Sequence, residues 1–242
     1  MYGDKGRIGL IRPGITPSPE MDFHRHLPDG MALATAALPY GQVTLEGLSK
    51  MSSQVTEYAR MYRGFPFHIL VFACTTGSMV GGPGFDKTLV RQMEEASGIP
   101  AVTTSTALLE AFSLLGLRKL AIITPYSDAL NKLETEFLAA AGCDTAAIRG
   151  LGIEDTSVLP FVRPEELFRL ALEQDASPDT DALFISCTGI CAMDLIEPLE
   201  KIKGIPVLTS NQATIWCALR HMGYQEPLPG LGTLGRTPYQ AG

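Results

Sequence analysis

The chain has 242 residues, 45% of them hydrophobic and 19% charged, with a formal net charge of -7. That balance excludes a nucleic-acid partner, which needs clustered Lys and Arg, and leaves no long-range steering of anions, so an anionic ligand has to be held by local donors. No apolar run approaches the ~20 residues of a membrane span, the N-terminus lacks the layout of a secretory signal, and five cysteines without CxxC or zinc spacing fit a reducing compartment, so a cytoplasmic protein with free thiols is expected.

Arg7 to Arg12 reads as a first strand closed by Pro13-Gly14, followed by a proline-broken loop to Glu20 and a helix from there to His26. Ala32 to Ala37 is a second strand. From Thr44, an expected N-cap, apolar residues recur at helical spacing as far as Tyr62, which predicts one long amphipathic helix ending at Gly64. His68 to Ala73 is a strand leading to Cys74. Gly81-Gly82-Pro83-Gly84 lacks a phosphate-loop ending and reads as a flexible lid or turn. Helices over Phe85 to Ser97 and Ser105 to Leu115, stopped by Gly98 and Gly116, flank a short strand from Ile99 to Thr103.

The pattern then restarts. Lys119 to Pro125 repeats the layout of Arg7 to Pro13 roughly 110 residues later, a spacing that marks a duplicated unit. A helix opens at Tyr126-Ser127-Asp128 and runs to about Ala141. A strand near Thr145 to Leu151, a helix from Pro164 to Gln174 and a strand from Ala182 to Ser186 bring the chain to Cys187. After a helix over Asp194 to Ile202, Gly204-Ile205-Pro206 to Thr209 repeats Gly98-Ile99-Pro100 to Thr103. The last strong helix is Gln212 to Met222, and disorder is expected at most in the final dozen residues. Three landmarks matched in the same order imply two similar α/β halves with buried strands. Ligands of open α/β sheets lie outside the carboxyl ends of the strands, so a cleft between the halves would face Cys74 and Cys187 across one site.

The chemistry gathers at those two strand ends, Val71-Phe72-Ala73-Cys74-Thr75-Thr76-Gly77-Ser78 and Leu183-Phe184-Ile185-Ser186-Cys187-Thr188-Gly189. A thiol beside a helix N-terminus and free backbone donors is expected to have a lowered pKa and to serve as nucleophile or acid-base group. Thr16 and Ser18 could donate to a carboxylate at the first strand end, and Tyr126 holds the equivalent place in the second half. Asn211 is an expected helix N-cap or supporting amide. Cys143, Cys191 and Cys217 read as packing residues, and His24, His26, His68 and His221 show no metal-ligand spacing.

Cys74-Thr75-Thr76, Cys187-Thr188-Gly189, Ile8-Gly9-Leu10-Ile11 to Pro13, Tyr126 and Thr209-Ser210-Asn211-Gln212-Ala213 to Trp216 together resemble the aspartate/glutamate racemase superfamily. Within it they are most similar to the branch of maleate cis-trans isomerases and arylmalonate decarboxylases. The resemblance spans nearly the whole chain. It implies two pseudo-symmetric Rossmann-like (flavodoxin-like) subdomains with parallel sheets, lobes of 1–104 plus 211–242 and of 105–210, and a homodimer or higher homo-oligomer. Residues after about Ser210 would pack on the first lobe.

The resemblance further implies an isomerase or racemase that needs no metal or other cofactor and acts on a small carboxylate or dicarboxylate, because both thiols are present. Cys74 would attack the alkene of maleate and Cys187 would protonate the neighbouring carbon, with rotation and elimination giving fumarate. Thr75, Thr76, Tyr126, Thr188 and Gly189 would supply carboxylate donors. An amino-acid or N-acyl amino-acid racemase, a decarboxylase using Cys187 alone, and a dicarboxylate-binding protein without chemistry are the alternatives. Maleate isomerases carry an Asn in the first loop, where this chain has Thr16, a single hydroxyl in place of an amide's donor-acceptor pair.

Overall fold

A computed structural model describes residues 2–14, 16–174 and 179–239. Ile15 of the first expected site loop and residues 240–242 of the expected first-lobe tail lie outside the described residues. The first half contains β1 (Gly6–Pro13), α1 (Ser18–His26), β2 (Met31–Leu38), α2 (Leu45–Ser52), α3 (Val55–Arg60), β3 (Ile69–Phe72), α4 (Thr75–Met79), α5 (Phe85–Ser97), β4 (Ala101–Thr103) and α6 (Thr104–Leu115). The second contains β5 (Lys119–Thr124), α7 (Asp128–Ala140), β6 (Asp144–Gly150), α8 (Pro164–Glu173), β7 (Ala182–Ile185), α9 (Ile196–Lys203), β8 (Val207–Thr209), α10 (Ser210–His221) and α11 (Gly232–Arg236).

The strands form two four-stranded sheets, ordered β2-β1-β3-β4 and β6-β5-β7-β8, and every named pair is parallel. The two orders are the same once the second half is renumbered, so the sequence repeat is a structural one. β3 (Ile-Leu-Val-Phe) and β7 (Ala-Leu-Phe-Ile) are buried at every residue, as helices on both faces of a parallel sheet require. Each runs next to the centre of its sheet, so Cys74 and Cys187 emerge where the strand order reverses, the usual place for a ligand.

The halves also close alike. Thr103 and Thr209 cap α6 and α10 through reciprocal capping boxes with Thr106 and Gln212, satisfying two backbone donors each. These two helices pack against each other, with the Thr214 hydroxyl donating to Thr104 Oγ1 at 3.0 Å. α10 also lies on α1, β3 and β4.

Several expectations need correction. The helix from Thr44 is two helices, because Ser53 Oγ and Gln54 Nε2 both donate to the Lys50 carbonyl and draw the chain out of helix, while Thr44 does cap the first by accepting from Gly47 N–H. The first helix begins at Ser18, since Pro19 in its opening turn costs no hydrogen bond there. The final dozen residues include α11, with Leu231 and Leu234 buried. Gly81 to Gly84 is the turn between α4 and α5, where Gly82 and Gly84 hold φ of +82°. Thr209, not Asn211, is the N-cap of α10.

Candidate active site

A narrow, partly open cavity lies between the two sheets' carboxyl ends. It brings together Cys74 and Cys187 with Thr16, Thr75, Thr76, Tyr126, Thr188 and Gly189, whereas Ser18, also expected as a carboxylate donor, and Asn211 do not line it. Pro13, Pro19, Tyr40, Val43 and Leu159 complete the wall, which carries no charged side chain. An anion bound here is held by dipoles alone.

Cys74 caps α4, and its Sγ accepts the Gly77 N–H at 3.3 Å. Only glycine fits there, because a Cβ at position 77 would stand 2.8 Å from that sulfur and 2.7 Å from Met51 Cε. The N–H groups of Thr75 and Thr76, in the first turn, have no partner within the helix and are the donors available to a ligand. Cys187 has φ of +145°, a conformation that is close to glycine-only, and among the described residues no other non-glycine has positive φ. Its strained backbone is fixed by a hydrogen bond from its N–H to Ser210 Oγ at 3.1 Å, and Gly189 N–H donates to its sulfur at 3.2 Å.

The same contacts stitch the halves together. Ser210 Oγ, at the start of α10, accepts from both Cys187 N–H and the Thr75 hydroxyl, the latter at 2.8 Å. Thr188 Oγ1 donates to the Ala73 carbonyl at 3.2 Å and Ser18 Oγ to the Gly189 carbonyl at 3.2 Å. Asn211 Nδ2 bridges the Thr188 carbonyl and the buried Asp22 carboxylate, at 3.0 and 2.7 Å. The hydroxyl protons of Thr75 and Thr188 are thus spent on structure, which leaves their backbone N–H groups for a ligand.

The expected lowering of the thiol pKa is overturned. Burial pushes Cys74 up to about 12, opposed by the Gly77 N–H and the Thr76 hydroxyl and reinforced by the charge of Cys187. Burial likewise pushes Cys187 up to about 11, opposed by hydrogen bonds from Tyr126 and the Gly189 and Ile190 N–H groups. Desolvation of a buried thiolate outweighs one helix turn. Both sulfurs rest as neutral thiols, and charge on Cys187 further disfavours charge on Cys74, so a thiolate formed on one is set beside a protonated partner. Tyr126 is pushed well above the usual phenol range, by burial first and then by Cys187 and Glu134, so it remains a neutral donor.

Two residues near the sulfurs escaped the sequence reading. Glu134 is fully buried on α7, accepts from Ser186 Oγ at 2.5 Å, and has its other oxygen without a partner; burial raises it to about 7. Its signal was present, an acid on the helix face that also buries Leu130, Asn131, Phe137 and Leu138. Tyr40, just beyond β2, left no periodic signal. Of the remaining thiols, Cys143 and Cys217 are buried away from the cavity, and exposed Cys191 lies 3.6 Å from Ser18 Oγ. Glu110, Cys217 and His221 bring three ligand-type atoms within 4.8 Å of one another. Glu110 Oε2 is already engaged by His221 Nε2 at 2.8 Å and by the Cys217 thiol at 3.5 Å, a clip between α6 and α10.

Fold and site define a two-lobed α/β protein with a thiol pair lining one cavity of uncharged side chains. The chain belongs to the arylmalonate decarboxylase family, whose model matches residues 8–235. It is 32% identical to arylmalonate decarboxylase of Bordetella bronchiseptica over 94% of this chain and 95% of that protein. It is 29% identical to a maleate isomerase of Nocardia farcinica, over 95% of each. A solved Nocardia farcinica maleate cis-trans isomerase, a cysteine-to-serine mutant with a covalently bound succinylcysteine intermediate, superposes with a TM-score of 0.91 at 25% identity, covering 97% of this chain and 99% of that one. Among the described residues no helix is long and apolar enough to cross a membrane.

Proposed function

We propose that the protein is a cofactor-independent two-cysteine isomerase of small carboxylates, with maleate to fumarate as its leading reaction. The observation that carries this reading is the placement of two thiols on one cavity whose polar side chains are neutral hydroxyls. One carboxylate of the substrate takes the N–H groups of Thr75, Thr76 and Thr188, while the Gly189 N–H and the Tyr126 hydroxyl stay on the Cys187 sulfur at the edge of that cradle. Cys74 gives up its proton to solvent as the substrate binds, its thiolate adds to the alkene carbon with formation of a C–S bond, and the Cys187 thiol gives its proton to the adjacent carbon. The former double bond is then single and turns. Cys187 thiolate removes the proton again as the C–S bond breaks, which restores both sulfurs and leaves the trans alkene.

The nearby succinylcysteine structure supports the covalent step, as do curated maleate isomerase relatives. Thr16 in place of the amide of maleate isomerases, and the apolar Pro13, Pro19, Val43 and Leu159, favour a second reading in the same cavity, proton exchange or decarboxylation at the α-carbon of a substituted carboxylate. We further assign 1–104 and 211–242 to one lobe and 105–210 to the other, a division supported by the seat of α10 on α1, β3 and β4, and take the working form to be a homo-oligomer.

Proton NMR in D2O with maleate, D- and L-aspartate and phenylmalonate tests the assignment. Fumarate is expected from maleate, and no fumarate from Cys74→Ala, at a loss of at least ~10³-fold as for removal of a nucleophile. Loss of carbon dioxide from phenylmalonate that survives Cys74→Ala, without fumarate from maleate, would replace isomerisation by decarboxylation through Cys187.

A further inference from the structure

We infer that Tyr40 is a specificity-determining residue that selects substrates carrying a second hydrogen-bond acceptor, a second carboxylate above all. The inference rests on the carboxylate-site reading and deepens it. The ring of Tyr40 is half-buried, yet its hydroxyl is fully buried and, among the described residues, no group pairs with it. A buried hydroxyl left unpaired is destabilising, so it calls for a partner that the ligand can supply.

Its position supplies one. The cavity's polar residues come from two sources. Thr75, Thr76 and Thr188 follow β3 and β7, whereas Thr16 and Tyr40 follow β1 and β2 and are set among Pro13, Pro19 and Val43. The first group surrounds the sulfurs and offers the backbone donors that cradle one carboxylate. Tyr40 and Thr16 bring two hydroxyls to a wall that is otherwise apolar, and of these the Tyr40 hydroxyl is the buried, unpaired one. Burial first, then charge on Cys74 and on Cys187, pushes its phenol far above the usual range, so it stays protonated and can only gain by donating to an anion. The phenol lines the same cavity as both sulfurs but follows a different strand, which places it to donate to the far end of a substrate centred between them. An aryl or alkyl substituent would leave this hydroxyl unpaired, and an acceptor would satisfy it.

Isothermal titration of the whole chain with succinate and with butanoate, which differ in one terminal carboxylate, tests this without requiring turnover. The wild type is expected to bind succinate more tightly than butanoate. Tyr40→Phe, which keeps the ring, is expected to weaken succinate by ~10-fold or more and to leave butanoate unchanged, the scale of one buried hydrogen bond to a charged acceptor. A wild type that does not prefer succinate, a Tyr40→Phe variant that binds succinate as the wild type does, or an equal loss for both ligands would each overturn it. Maleate that is bound through Tyr40 but never converted would remove the isomerase reading and leave this one standing.

Discussion

Cys187 carries two burdens that pull in opposite directions. Its φ of +145° belongs to glycine, and a non-glycine residue there stores roughly 1–3 kcal/mol. The strain is held by the Ser210 hydroxyl on its N–H and by the neighbouring Gly189, whose missing side chain keeps the sulfur accessible: a Cβ there would come within 3.5 Å of Cys187 Sγ and 3.3 Å of Leu159 Cδ1. A thiol is retained at a position where the backbone would prefer no side chain at all. Cys187→Gly and Cys187→Ala are both expected to lose turnover, but the glycine variant should be the more stable by about 1 kcal/mol or more in urea titration, because only it releases the strain. Equal stabilities would show that the backbone at this position is unstrained. The sequence announced the residue but not the strain, since a strand ending in Cys-Thr-Gly says where a turn begins and nothing about the sign of φ. The direction of the thiol pKa was likewise hidden: an N-cap is a local feature, and the burial that outweighs it is the sum of both lobes.

At the scale of the element, α7 places one carboxylate where a leucine would pack. Glu134 lies on the buried stripe of that helix and its charge raises both Cys187 and Tyr126. The sign of its effect on stability follows from a folded pKa of about 7 against an ordinary value of 4.5. The neutral acid is favoured in the fold, so the full contribution is present below the ordinary value and is lost as pH rises through the folded one. Glu134→Gln keeps an acceptor for Ser186 and removes the titration. Its melting temperature relative to wild type is therefore expected to be higher at pH 8 than at pH 5 by at least ~2 °C, the shift that a ΔΔG of about 1 kcal/mol gives a domain of this size. A difference independent of pH would mean that Glu134 does not titrate there. Helices were legible wherever a glycine or a capping threonine marked an end, as at Gly98, Gly116 and Thr44. The break at Ser53-Gln54 was not, because apolar spacing continues through it to Tyr62 and only side-chain competition for the Lys50 carbonyl divides the helix.

Across the whole molecule, duplication explains the site. Two copies of one strand order each end their third strand in a cysteine, and α6 against α10 faces those ends toward one another. That much could be read from repeated strand-turn landmarks, and eight of the residues marked in advance line the cavity, while Ser18 and Asn211 brace it from behind. Tyr40 could not, because its relevance depends on how β2 ends beside Val43 and the opposite lobe. With two thiols on one cavity, the claim to test most directly is that Cys74 forms a covalent bond with the substrate while Cys187 handles the proton. Cys187→Ser incubated with maleate and analysed by intact and peptide mass spectrometry is expected to gain the mass of one maleate on the peptide containing Cys74. A wild-type rate of fumarate formation in Cys74→Ala, or an adduct confined to Cys191, would contradict it.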